Sequence, residues 1–141
     1  MSDWTREKMQ ALAARHVVAE TGDDVEPLMA TLVHDPVYEF HPVGLTMSGH
    51  DRVRRFYTQF FTDFVSLRHS YRLLDEWVSE TSVAQEYDIA LNVDGVIEHF
   101  RVIGVLYAEG ELLGGERVYA SERFIRLMTG ALYSELEPLS D

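Results

Sequence analysis

Between Trp4 and about Thr21 the buried-type positions recur at helical spacing. Met9, Leu12, Ala13, His16 and Val17 stand at i, i+3, i+4, i+7 and i+8 and share one face. Gly22-Asp23-Asp24 stops this helix, and Asp24 caps a second one. Pro27 falls in the first turn of that second helix, where its missing N–H costs nothing, and Leu28, Met29, Leu32 and Val33 give the helix an apolar stripe. Asp35-Pro36 breaks it. Val37 to His41 reads as a short strand closed by Pro42-Val43-Gly44, and Gly49-His50-Asp51 opens a third helix. Val53, Phe56, Tyr57, Phe60, Phe61 and Phe64 make a wide aromatic face on this helix.

From about Ser70 the period changes to two. Strands are predicted near 70–79, 82–93, 96–108 and 111–120, with Asp94-Gly95 and Glu109-Gly110 as tight hairpin turns. From Ser121 to about Leu136 the pattern is helical again, with Phe124, Ile125, Leu127, Met128, Ala131 and Leu132 on the apolar side. Helices grouped apart from a run of strands indicate an α+β fold. The expected form is a cone: a curved antiparallel sheet covered by three helices from the N-terminal half, with a C-terminal helix added. Such a cone leaves a pocket where its lining does not fill the space.

The length of 141 residues suits one domain spanning 1–141, and 46% hydrophobic residues are enough for a packed core. Charge narrows the partners. With 24 acidic residues against 12 Lys+Arg, the formal net charge is −12. Nucleic acid and anionic membrane surfaces repel such a chain, so neither is an expected partner. There is no cysteine, which removes disulfides and thiolate chemistry. The polar start MSDWTREKMQ does not resemble a signal peptide, and cytoplasmic residence is the expectation. The six histidines have no H-x-x-x-H spacing, and no Walker loop, G-x-G-x-x-G or G-x-S-x-G motif occurs. No metal and no cofactor is therefore expected.

His41, at the end of its strand, is the leading catalytic candidate, because an imidazole can move a proton at neutral pH. Glu39 lies two residues earlier on the same face. Either the pair enters the pocket, or it faces solvent while Tyr38 and Phe40 fill the core. The candidate ligand contacts are His16 on the first helix, Phe56, Tyr57 and Phe60 on the third, and Tyr87, Val102 and Tyr119 in the meander. Tyr57 and Phe56 are expected over the pocket mouth, and Tyr87 and Tyr119 on inward faces. Core packing is the competing role for each. His99 and Arg101 share the opposite face from Phe100 and Val102 and are expected to point outward.

The run HPVG (His41 to Gly44), Gly49, and RRFY (Arg54 to Tyr57) resembles the nuclear transport factor 2-like superfamily, which includes ketosteroid isomerases and SnoaL-like polyketide cyclases. The resemblance covers Trp4 to about Ser121; Gly22-Asp23 and the Gly110 hairpin also match. It implies a homodimer formed through the sheet. Ketosteroid isomerases carry DPVG, whose Asp is the general base and corresponds to His41. Their oxyanion Tyr corresponds to Arg15 or His16, and their protonated Asp to Val102. The cyclases' strand-end Asp corresponds to Ser121. Arg101, followed by Ile103, does not reproduce the epoxide hydrolase set. The resemblance thus implies a pocket for a small apolar ligand and cofactor-free acid/base chemistry on a carbonyl compound. A ligand-binding or dimerisation domain without catalysis is the alternative.

Overall fold

The structure, a computed structural model, describes residues 3–140. Helix α1 (Arg6–Glu20) is capped by Thr5, whose side chain accepts from the Lys8 N–H. Helix α2 (Val25–Met29) is capped in the same manner by Asp24. Strands β1 (Leu32–His41) and β2 (Leu45–Ser48) follow. Helix α3 (His50–Gln59) then passes into a π-helical stretch, Phe60–Phe64, and a last turn α4 (Val65–Leu67). The meander is β3 (Arg68–Val78), β4 (Ser82–Val93), β5 (Val96–Glu109) and β6 (Leu112–Tyr119). Helix α5 (Glu122–Thr129), capped by Ser121, continues as a 3-10 turn to Glu135, and β7 (Glu137–Pro138) ends the fold.

The seven strands form one sheet in the order β3-β4-β5-β6-β1-β2-β7. The expected antiparallel pairing holds throughout the meander, but β1 runs parallel to β6, so the sheet is mixed. The α+β cone is otherwise as the sequence predicts. Strand β1 also begins earlier than its pattern suggests. Leu32 pairs with Leu113 rather than extending α2, and the Leu113 N–H donates to Thr31 O at 2.8 Å. Pro36 is tolerated because the β1–β6 register is irregular between Leu32 and Val37, where a missing N–H breaks no regular ladder. The last helix likewise ends at Thr129, where Gly130 adopts a φ of 58°.

The core lies between the sheet and the helices. Met9, Leu12, Leu28, Phe40, Leu113 and Ile125 are among its fully buried members. Tyr38 and Phe40 point into it from β1, so Glu39 and His41 point the other way.

Candidate functional site

A cavity of about 110 Å³ opens between the sheet and the helical layer. Space of this order accommodates a ring-sized organic molecule. Its walls are largely apolar. The π-helical stretch directs Phe60 and Phe64 into it, the meander adds Ile89, Val102 and Leu106, and α5 adds Phe124. Extra backbone within a helix re-aims side chains, and here it seats two stacked phenyl rings, 5.1 Å between centroids, on the cavity wall.

One end of the cavity is polar. Glu116 on β6 shares the inward face with Val118, and its remaining accessible area lines the cavity. The neighbouring strand places Gly104 beside it; a Cβ there would lie 2.9 Å from Glu116 Oε1. The glycine therefore makes the space for the carboxyl. No hydrogen bond or ion pair holds Glu116 among the described residues. Burial, followed by the negative charge of Glu20, pushes its pKa up from 4.5 to about 8. At neutral pH the group is a carboxylic acid with an O–H to donate.

Glu20 ends α1 and also lines the cavity. It lies one turn beyond His16, and Glu20 Oε1 is 2.9 Å from His16 Nε2. The hydrogen bonds around His16 fix its tautomer. The Thr31 hydroxyl donates to Leu28 O at 2.7 Å, so it accepts from the His16 Nδ1–H at 2.8 Å. Nε2 then faces Glu20 Oε1. Tyr57 Oη lies 3.3 Å from the same nitrogen, and the Tyr38 and Tyr57 hydroxyls meet at 2.6 Å. Burial raises both of these tyrosines well above the ordinary phenol range. Donor atoms of His16, Glu20 and Glu116 all lie within 4.8 Å of one another, a spacing that would admit a metal ion, and two of the three already contact each other.

The residues singled out from sequence divide into three groups. Phe60, Tyr87 and Val102 line the cavity. The Tyr87 hydroxyl donates to Gln85 Oε1 at 3.1 Å, and burial pushes it up to about 12. His16, Phe56 and Tyr57 are buried behind the cavity wall, so Phe56 and Tyr57 do not cover its mouth. His41 and Tyr119 are elsewhere. They are register partners on β1 and β6, their rings stack 5.0 Å apart, and His41 Nε2 contacts Glu39 Oε1 at 3.0 Å. The Glu39–His41 pair forms, but on the opposite face of the sheet from the cavity. Tyr119, 42% exposed, is on that face too, contrary to its expected inward position. The physical reason is alternation: the larger apolar gain comes from burying Tyr38, Phe40 and Val118, which turns their neighbours outward. His99 and Arg101 are exposed, and Arg101 pairs with Glu86 across the strands. Glu20 and Glu116 were absent from the sequence reading. Both carried a signal: Glu20 stands four residues after His16 on the buried helix face, and Glu116 shares strand parity with Val118.

No protein-family model and no curated protein matches the sequence. Solved structures do. An NTF2-like protein from Anabaena variabilis ATCC 29413 superimposes with a TM-score of 0.65 at 17% identity, covering 86% of this chain and 95% of that one. A protein of ketosteroid isomerase-like fold from Catenulispora acidiphila DSM 44928, in complex with trimethylamine, gives 0.61 at 18% identity, covering 84% and 92%. The chain has the nuclear transport factor 2-like fold. A de novo designed protein with a curved β-sheet gives 0.66 at 14% identity, covering 91% and 94%. A shared fold does not fix an activity, so function has to be argued from the groups in the cavity.

Proposed function

We propose that this chain is a small-molecule pocket protein that performs acid/base chemistry on an apolar, carbonyl-bearing substrate, with isomerisation by proton transfer as the reaction. One observation carries this reading: a neutral carboxylic acid, Glu116, and a His16-supported Glu20 converge at one end of an apolar cavity. Glu116, raised by burial, supplies the acid, and Glu20 beside His16 is placed to supply the base.

The substrate carbonyl oxygen accepts the Glu116 O–H. Glu20 takes a proton from the carbon beside that carbonyl. The electron pair of the broken C–H bond forms a carbon–carbon double bond, and charge gathers on the oxygen held by Glu116. In a β,γ-unsaturated ketone Glu20 then returns the proton to the γ-carbon, the double bond shifts into conjugation, the carbonyl re-forms and Glu116 keeps its proton. Atoms and electrons balance within substrate and protein, so the step requires no oxidant or reductant. His16 acts through Glu20, holding the carboxylate in place. The trimethylamine held by the Catenulispora protein supports the coarser statement that a cone of this kind can hold a small molecule.

The test is deuterium exchange. Cyclic enones and ketones of one or two rings are incubated with the protein in D2O, and loss of the α-proton signal is followed by NMR. The expected result is catalysed exchange that survives a chelator and falls by about 10²-fold or more in Glu20→Gln. Compounds that raise the melting temperature without exchanging would overturn catalysis and leave a binding protein.

A further inference from the structure

We propose that the substrate also carries a carboxylate, and that Arg68 receives it at the cavity mouth. This deepens the acid/base reading and rests on it. Arg68, the first residue of β3, is the one basic residue lining the cavity among the described residues. Six other arginines, at positions 52, 54, 55, 101, 123 and 126, each hold a carboxylate partner. Arg68 holds none among the described residues, as do Arg6, Arg15, Arg72 and Arg117, and of these five only Arg68 lines the cavity. Its guanidinium instead lies over the Tyr71 ring, 4.3 Å from the centroid. Stacking fixes the plane of the guanidinium and leaves its N–H fork available to a planar anion.

The position of the opening gives the direction of binding. Tyr71 lines the cavity yet is 46% exposed, and Thr21 lines it and is exposed. Arg68, stacked on Tyr71, therefore borders the mouth. Glu20 and Glu116 occupy the polar end. A ligand carboxylate placed beside them meets like charge and deep burial. At Arg68 it meets a cation and partial access to water. An oxo acid accordingly enters with its carbonyl towards Glu116 and its carboxylate towards Arg68. A neutral ketone has only the first of these contacts.

The test uses matched pairs: 4-oxo-4-phenylbutanoate and 5-oxo-5-phenylpentanoate against their methyl esters, by isothermal titration calorimetry at low salt. At least one acid is expected to bind about tenfold tighter than its ester, as a charge-assisted hydrogen bond implies. Arg68→Gln should close that gap and Arg68→Lys should keep part of it. Glu116→Leu, which has no donor, should weaken acid and ester alike. Equal affinity of acid and ester overturns the assignment, as does an Arg68→Gln that weakens both equally. If the esters bind through Glu116 with no preference for the acids, this inference falls and the acid/base reading stands. If neither series binds, both fall.

Discussion

Glu116 is a surface-type residue placed where water is scarce, and its protonation has a thermodynamic consequence. An ordinary carboxyl in the unfolded chain titrates near 4.5, whereas burial moves it to about 8 in the fold. Between these values the folded state binds one proton more than the unfolded state, so stability falls as pH rises. The contribution of the neutral acid is complete below about 4.5, is lost progressively towards about 8, and is absent above. The whole span amounts to at most about 5 kcal/mol. Glu116→Gln keeps the shape and removes the proton. Urea unfolding at pH 5, 7 and 9 should show the variant near wild type at pH 5 and clearly more stable at pH 9. Parallel pH curves for the two proteins would mean that Glu116 ionises freely in the fold. The same residue shows why sequence reading missed the site. A glutamate between Gly115 and Arg117 looks like hairpin polarity, and only the inward parity of Val118 places it in the cone. His41 presented the opposite problem: its HPVG setting is family-like, but parity with Tyr38 and Phe40 sends it to the other face.

At the scale of elements, the period of the pattern was decisive where strands are long. The meander limits, both hairpins and the α1 face were all legible, because alternation over 8 to 14 residues leaves one register. The parallel β1–β6 pairing was not, since it is a long-range contact with no local signature. It depends on Gly115. This residue has a φ of 149°, and a Cβ there would stand 1.7 Å from Val37 O. Gly115→Ala therefore forces β1 and β6 apart or strains both strands. A loss of at least about 3 kcal/mol is expected in denaturant unfolding. Gly110→Ala is the control. Its φ of 68° is unfavourable, but nothing lies within 4 Å, so the cost should be about 1–2 kcal/mol. Equal costs at the two positions would mean that backbone conformation, rather than strand approach, explains Gly115.

At the scale of the whole molecule, charge acts over two ranges. The formal net of −12 sets up repulsion across the fold, whose radius of gyration is about 14 Å by size scaling. The stabilising ion pairs act at contact, as in Arg123–Glu98 at 2.5 Å and Arg55–Glu135 at 2.7 Å. Such exposed pairs each contribute little, because solvent screens them and holding the side chains costs entropy. Screening separates the two. The Debye length shortens from about 30 Å at 0.01 M salt to about 8 Å at 0.15 M. At the lower concentration it exceeds the spacing of most surface charges, so repulsion among the excess acids is felt across the molecule. At the higher concentration that repulsion is largely removed, while charges in direct contact are still well inside the screening length. Repulsion therefore weakens before attraction does, and sodium chloride should raise the melting temperature at pH 7 between 0.01 and 0.15 M. The rise should be smaller at pH 4, within the ordinary carboxylate range, where protonation has reduced the net negative charge. A melting temperature that falls with salt at pH 7 would show that the contact pairs outweigh the excess acids, and that the acidic surface carries little strain in the folded state.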